Sequence, residues 1–541
     1  MQFFLLNSYK LLYDRDKKIE RTTMQGILNS SKTFPLLLFL VLGKAAIMIL
    51  TILYSPIGLG PDEAQYWTWS QDLSWGYYSK PPGIAWQIWL GTHLLGNTEL
   101  GVRCMSVVLA ALYPLLIYSL TWSCGLKPRT CFWAGIVMAL TPLGIAGSFF
   151  AITDGGMMLF WILACLVIAY ALNRDQMPSY WLLGLIVGLG ALFKWPIYIL
   201  WLGILCLFPL YPRLIHRHFL IGLAISLLGL FPAIVWNAQH DWVTFRHVFS
   251  TLYVPQVPLQ AKSTFFNGNF WEFLGAQSAL LSPVVFILLL LSLYRLYKER
   301  HTLPSALCFC GFLCFSLLSL FLTLSIFKKL QGNWGDFAFP SGIVCLCWFC
   351  CERAQKMLFW LKGGLVLSLL LCQLAFLLPT LQSSLAFNIP YKINPFKHNL
   401  GWSTLRQELA TIKVDPTKEF LFSDKYQMSS LLSFYNPTQQ RAYFLNLQGA
   451  RKNQFSFWPS MKEEQLGKTG YFIVTENSPH LDQLDDLQIQ HYCHLLAKYF
   501  QTVEFKEKKI LFSLGHQKVK EAALFKCINY QGLLPADPEL Y

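Results

Sequence analysis

Charged side chains are scarce in this chain: Asp, Glu, Lys and Arg together make up 13% of its 541 residues, while 54% are hydrophobic. Ordinary soluble proteins carry about a quarter charged residues, so a string of soluble domains is excluded and a membrane protein is the first expectation. Other features are missing as well. No glycine-rich nucleotide-binding fingerprint is visible, nor any internal repeat, low-complexity tract or similarity between the two halves of the apolar region. No secretory signal peptide precedes the first apolar run, because the N-terminal residues are polar and basic and lack a small-residue cleavage site. That run is expected to remain as an anchor.

What is present is a series of apolar runs near bilayer-spanning length, recurring from about residue 34 to about 378. The net charge is +14, and its placement matters more than its sum. Lys10, Arg15, Lys17, Lys18, Arg21 and Lys32 precede the first run. Lys127 with Arg129, Arg174, Arg213 with Arg217, Arg295 with Lys298 and Arg300, and Arg353 with Lys356 fall in short polar gaps. The positive-inside rule makes these gaps cytoplasmic. Spans are then expected at 34–56, 101–123, 130–150, 155–172, 180–193, 196–211, 219–236, 273–294, 303–326, 337–351 and 357–378, with one short pair open to being a re-entrant hairpin. The expected fold is a polytopic α-helical membrane protein of about 11 transmembrane helices, with a cytoplasmic segment at 1–33, a membrane domain at 34–379 and an outer mixed α/β domain at 380–541.

Thirteen of the fifteen cysteines lie in apolar segments, where Cys acts as a small hydrophobe; no His or acidic residue accompanies Cys345, Cys347, Cys350 and Cys351 to make a metal site. Cys493 and Cys527 alone occupy the tail, and an oxidising outer compartment would permit a bridge between them.

On the outer face, PDEAQYWTWSQDLSWGYYSKPPG follows the first span. Asp62 and Glu63 either mark the helix exit or do chemistry. Trp67, Trp69, Trp75, Tyr77, Tyr78, Trp86 and Trp89 are too aromatic for a free loop and suggest short helices along the membrane surface, broken at Gly76 and Pro81-Pro82. Lys80, beside two backbone-fixing prolines, either snorkels to lipid phosphates in general or binds one phosphate. Asp154, between spans three and four, is a helix cap, a site residue or both. Lys194 lies between two apolar runs, where a cation is a functional candidate by default. The long outer loop at 237–270 brings Asn237, His240, Arg246 and His247, and Arg246 offers the rigid fork a phosphate needs. KKLQGNW adds Lys328, Lys329, Asn333 and Trp334. Lys44, within span one, is about 27 Å of helix rise from Asp62 at ~1.5 Å per residue and has no evident role there.

Carboxylates and cations gathered outside a membrane suit glycosyl transfer from a polyprenyl phosphate. Cations stabilise the phosphate that leaves the anomeric carbon. A carboxylate takes the proton of the attacking hydroxyl, and one carboxylate without a covalent intermediate implies inversion. A transporter or flippase for lipid-linked saccharides is the rival, although inverted repeats and broken mid-membrane helices are not clear.

At these residues the sequence resembles the bacterial polyprenyl-phosphate-dependent glycosyltransferases of the GT-C superfamily: the family 39 group of protein O-mannosyltransferases, and lipid A aminoarabinose transferase. DEAQYW resembles the family's D-E-x-x-Y motif, KPP its lysine–proline–proline, TD its second acidic position, LFKWP its lysine-bearing link, WNAQHDWVTF its long loop and QGNW its Asn-Trp signature. The resemblance implies Asp62 as base, with Glu63 and Asp154 orienting substrates. It implies Lys80, Tyr66, Lys194 and Arg246 around the donor phosphate, and Tyr78, Asn237, His240, Asn333 and Trp334 as further substrate contacts. The implied partners are a polyprenyl-phosphate-linked sugar, a glycolipid or protein acceptor and membrane lipids, with no nucleic acid. The aminoarabinose transferases place a metal-implicated Glu before the lysine; Ser79 stands there in this chain, so no required cofactor is expected and a divalent metal stays an open alternative. In the tail, GWSTLRQELA reads as a helix, EFLFSD and GYFIVTE as strands and FSDKYQMSSLLSFY as a strand-to-helix passage. The tail is either a covering or acceptor-binding module or purely stabilising.

The odd number of crossings predicts that an alkaline phosphatase fused to the C-terminus is active, as that enzyme is only outside the cytosol, and that a fusion after Arg129 is inactive.

Overall fold

Hydrocarbon offers the backbone no hydrogen-bond partner, so apolar runs of this length must be helical. The computed structural model describes residues 32–209, 211–253, 267–385, 394–477, 484–514 and 517–536, and helices occupy most of the described part of each of the eleven runs. The basic residues from Lys10 to Arg21 lie outside the described residues.

The first described helices are α1 (Lys32–Tyr54), α2 (Pro61–Ser70), α3 (Gly83–Leu95) and α4 (Glu99–Ser123). A bent pair follows, α5 (Pro128–Leu140) and α6 (Pro142–Phe149), then α7 (Thr153–Asn173) and the short α8 (Tyr180–Ala191) and α9 (Ile199–Leu207). Next come α10 (His218–Leu227), α11 (Phe231–Ala238) and α12 (Val243–Tyr253). A second bent pair, α13 (Phe270–Leu281) and α14 (Pro283–Glu299), leads to α15 (Ser305–Phe327), α16 (Phe339–Trp348) and α17 (Met357–Leu385). Among the described residues, seven helical stretches are long and apolar enough to cross a bilayer, or nine if each bent pair is one span. The protein is thus a polytopic helical membrane protein. The 12 residues of α8 rise about 18 Å, short of the ~30 Å hydrocarbon core. Counted as two crossings or as one re-entrant pair, α8 and α9 leave the parity of the spans unchanged.

The short helices are held by close backbone approach. A Cβ on Gly184 would lie 2.2 Å from the Gly222 carbonyl oxygen, and one on Gly229 would lie 2.1 Å from that of Gly188, the small-residue packing that membrane helices use in place of a hydrophobic drive. The bends have identifiable causes. The 55° break between α5 and α6 falls at Pro142, and Lys44 Nζ donates to the Gly144 carbonyl there at 2.8 Å. Lys44 therefore ties span one to the broken helix. At the 97° break between α13 and α14, Ser282 adopts φ 76° and its Oγ donates to the Gly364 carbonyl at 3.1 Å.

The tail contains α18 (Trp402–Ile412), β1 (Glu419–Ser423), α19 (Tyr426–Tyr435), β2 (Tyr443–Phe444), α20 (Met461–Glu464), β3 (Thr469–Asn477), α21 (Asp486–Leu496), β4 (Phe500–Leu514) and β5 (Gln517–Tyr530). Its sheet order is β2-β1-β3-β5-β4, with β1 parallel to β2 and β3, and β5 antiparallel to β3 and β4. The strands and helices read from GWSTLRQELA, EFLFSD, the strand-to-helix passage and GYFIVTE are all present. Cys493 and Cys527 are free thiols sharing one apolar cluster, and Cys345, Cys347, Cys350 and Cys351 pack as small apolar groups in the helical core.

The aromatic band after span one differs from its expected place at the headgroups. Trp67, Trp69, Tyr77 and Tyr78 are buried, and α2 is sandwiched between the bundle and the C-terminal domain. Trp67 meets Phe434 edge-on with ring centroids 5.0 Å apart, Trp69 stacks on Tyr77 at 4.7 Å, and the Leu59 N–H donates to Tyr435 Oη at 2.8 Å. Only Trp75, Trp86 and Trp89 remain exposed. Burying such rings between two layers removes more apolar area from water than an interfacial site does.

The glycine packing predicts that Gly184→Leu loses the monodisperse folded protein in detergent size-exclusion chromatography, whereas Leu185→Ala, on the exposed side of α8, leaves it intact.

Candidate active site

Pro61 starts α2, and its first turn carries two adjacent carboxylates with opposite fates. Glu63 is buried. It takes a bidentate fork from Arg103, Nε to Oε1 at 2.8 Å and Nη2 to Oε2 at 2.7 Å, and accepts the N–H groups of Gly60 at 2.9 Å and Ala151 at 3.1 Å. Arg103 in turn donates to the carbonyls of Ile57 and Gly58 and lies 4.2 Å from the Phe149 ring centroid. With its acceptor sites filled, Glu63 is a clamp between α2, α4 and the link before α7. Asp62 points the other way, open to a cavity, and among the described residues its side chain has no hydrogen-bond partner. Protein crowds it from the remaining sides. That desolvation raises its pKa above the ordinary carboxylate value, Lys80 opposes the rise and Glu63 adds to it.

Lys80 is set by a tight turn in which the Tyr77 N–H donates to the Lys80 carbonyl at 3.1 Å. Its ammonium also has no hydrogen-bond partner among the described residues. Burial lowers its pKa first, the charge of Lys194 lowers it further, Asp154 and Asp62 oppose, and Arg451 lowers it again. These groups therefore share one site. Asp154 does not cap α7: Ile152 is the N-cap, and the Asp154 side chain leaves the first turn to bond Lys194 Nζ at 2.5 Å and Asn333 Nδ2 at 3.1 Å. Tyr66 is buried beside them, its hydroxyl kept protonated by burial and by the charges of Asp62 and Asp154.

Other expected contacts are spent on structure. Asn237 donates to the Ala233 carbonyl at 2.8 Å and accepts the Thr244 N–H at 2.9 Å, and Thr244 Oγ1 donates to the Tyr77 carbonyl at 3.1 Å. His240 stacks on Trp236 at 4.0 Å, with Nδ1 2.7 Å from the Trp236 carbonyl oxygen. Trp334 Nε1 donates to Gln331 Oε1 at 3.3 Å. Arg246 lies on α12, next to His247, whose ring is 5.0 Å from that of Tyr78. Tyr78 itself is buried under the guanidinium of Arg451, 5.5 Å from its ring centroid.

Three members were missed by sequence reasoning. Arg103 carries the signal of a charged residue at the start of a span, which calls for a partner. Asp336, three residues after Asn333, is buried with Oδ1 lacking a partner, and its charge acts on the Asp154 and Lys194 region. Arg451 comes from the C-terminal domain, in a polar stretch with no distinguishing pattern.

A cavity of about 520 Å³ opens beside Asp62 between α2, the link at 150–152 and the C-terminal domain, where His398, Trp402, Gln427, Thr475 and Lys520 line it. The donor set does not suit a divalent metal. Ser79 brings no carboxylate, His240 is turned to Trp236, and among the described residues no three His, Cys, Asp or Glu side chains converge. What the arrangement offers is an ionisable carboxylate open to a cavity and coupled to the charge of Lys80.

Residues 79–236 match the family described as dolichyl-phosphate-mannose-protein mannosyltransferase. Lipid A galacturonosyltransferase RgtD of Rhizobium johnstonii is 26% identical over 395 residues, 72% of this chain and 80% of that protein. An undecaprenyl phosphate-alpha-4-amino-4-deoxy-L-arabinose arabinosyl transferase of Pseudomonas paraeruginosa is 33% identical over 151 residues, 25% of this chain and 27% of its own. The crystal structure of ArnT from Cupriavidus metallidurans bound to undecaprenyl phosphate shares the fold, with TM-score 0.59 and 13% identity over 90% of this chain and 97% of that one. The chain is a membrane glycosyltransferase. Its sequence is similar to lipid A sugar transferases, and it shares the fold of ArnT.

Removing one partner of a buried ion pair costs about 3–5 kcal/mol. Arg103→Leu is therefore expected to lower the thermal midpoint in detergent sharply, and an unchanged midpoint would show that the clamp is dispensable.

Proposed function

We propose that the protein moves one sugar from a polyprenyl phosphate of the undecaprenyl type to a hydroxyl of a surface glycolipid, lipid A or lipopolysaccharide, at the periplasmic face of a bacterial inner membrane. The observation that carries this reading is Asp62, a carboxylate without a hydrogen-bond partner among the described residues, open to a cavity and electrostatically coupled to the unpartnered ammonium of Lys80. The relatives named for lipid A transfer support the acceptor class over protein, and they are transferases, which disfavours the flippase.

In the proposed reaction the acceptor hydroxyl oxygen bonds to the anomeric carbon while the bond from that carbon to the phosphate oxygen breaks. Its electron pair stays on the phosphate, and the hydroxyl proton passes to Asp62. Attack opposite the leaving phosphate inverts the anomeric centre. Lys80 and Lys194, with Tyr66 and Arg246, hold the phosphate as its charge grows. Asp154 and Asn333 fix the Lys194 ammonium, and Glu63 positions Asp62 through the backbone of α2 without touching substrate. The membrane domain (34–379) holds this chemistry, and the outer domain (380–541) walls the acceptor side of the cavity.

A base works only when ionised, and burial raises the Asp62 pKa. Transfer is thus expected to fall as pH drops through a value above the ordinary 3.8 of an Asp, and Asp62→Asn is expected to lose roughly 10²–10⁴-fold in turnover while still binding the donor. Labelled undecaprenyl-phosphate-sugar with lipid A in detergent reads both. Full turnover by Asp62→Asn, with the same acid limb, would remove Asp62 as the base.

A further inference from the structure

We infer that Arg451, delivered by the C-terminal domain, is a ligand of the donor phosphate alongside Lys80; the inference rests on the donor chemistry proposed above. The segment that carries it is wedged into the membrane domain. Gln454 Oε1 accepts the Tyr78 N–H at 2.7 Å, the Asn453 side chain accepts the Phe455 N–H at 3.0 Å, and the Phe457 ring packs near Trp236 and His240 at 6.1 and 5.8 Å. These contacts fix the wedge on both sides of the site. At its head the Arg451 guanidinium lies over Tyr78, two residues from Lys80 in the turn that sets Lys80, and its Nη1 is 3.3 Å from His247 Nδ1.

A guanidinium offers five N–H donors, and the groups beside that of Arg451, His247 Nδ1 and the hydroxyls of Tyr78 and Tyr426, are neutral and leave its charge without a counter-ion. Among the described residues no carboxylate pairs with Arg451. The charges around it point to what is missing. Lys80 feels Lys194 and Arg451 as like charges, against Asp62 and Asp154, and Asp154 is already shared between Lys194 and Asn333. Lys80, Lys194 and Arg451 stand with Asp62, Asp154 and Asp336, yet of the three cations Lys194 alone has a carboxylate partner among the described residues, which leaves Lys80 and Arg451 to take a negative charge from a ligand. A sugar phosphodiester carries one. When its electron pair returns from the anomeric carbon, the phosphate carries nearly two, and a planar fork answers the second better than another ammonium does.

The test is retention of labelled undecaprenyl phosphate by the full-length protein in detergent. Unsubstituted protein should retain the lipid, and Asp62→Asn, which removes a negative charge beside Lys80, should retain it at least as well. Arg451→Gln should bind roughly tenfold to a hundredfold more weakly, the range of one lost charge-assisted hydrogen bond, and Arg451→Lys should recover part of the loss. Equal binding by Arg451→Gln and the unsubstituted protein overturns the inference and leaves the donor reading standing; no binding by the unsubstituted protein overturns both. Should the variant fail to fold, the unsubstituted protein decides. Phenylglyoxal modification at Arg451, read by peptide mass, is expected to be blocked by undecaprenyl phosphate, and modification at the same rate with and without it rejects the assignment.

Discussion

The Glu63–Arg103 pair is the constraint on which the site depends. Two fully buried charges lose several kcal/mol of hydration each, and only a saturated geometry offsets that. Here it is saturated: Arg103 serves two carbonyls as well as Glu63, and Glu63 takes two backbone N–H groups as well as Arg103. The consequence is positional. One carboxylate binds the start of α2, the first turns of α4 and the link just before α7, so the backbones of Asp62, next to Glu63, and Asp154, three residues after Ala151, are tied to one anchor. With Glu63 turned inward, helical geometry sends Asp62 about 100° away around α2, toward the cavity.

Around that anchor, the C-terminal domain packs directly on the elements that carry Asp62 and Lys80. The rings of α2 are buried against α19, the Tyr435 hydroxyl holds the Leu59 N–H, and Gln454 holds the Tyr78 N–H. Lys520 reaches in from β5, buried, donating to the Leu400 carbonyl at 2.6 Å and lying 3.8 Å from the Trp402 ring centroid. Burial lowers its pKa to about 7. The floor of the cavity belongs to the membrane domain and its far wall to the tail, so an acceptor entering there meets Asp62 on one side and sheet residues on the other.

Legibility in the sequence followed what each pattern depends on. Apolar length forces helix, so all eleven runs were readable, while their bends and the shortness of α8 were not, because glycine approach and a Lys44 bond to a distant carbonyl set them. Asp62, Lys80, Asp154 and Lys194 were legible because a charge between apolar runs demands a reason, and all four meet. Asn237 and His240 looked equally suggestive, yet both serve the loop's own turn. The aromatic band was readable as amphipathic but not as an interdomain layer, since nothing local distinguishes a headgroup from a facing domain. Arg451 sits in GARKNQ, where a cation is ordinary in sequence and becomes particular only through the distant contacts of Gln454 and Phe457.

Burial sets both halves of the chemistry. It raises the pKa of Asp62 and lowers that of Lys80, which favours the neutral forms of each, and their mutual attraction opposes both shifts. A bound phosphate changes this balance. In the proposed reaction its negative charge would stabilise the Lys80 ammonium and restore the cation that the leaving group needs. On the same proposal the lipid head and the acceptor would displace water from around Asp62, which would raise its proton affinity and make the ionised carboxylate a stronger base. The same desolvation that weakens the empty site as an ion pair therefore strengthens the filled one as a catalyst, because each charge gains its proper partner only when the substrates supply it.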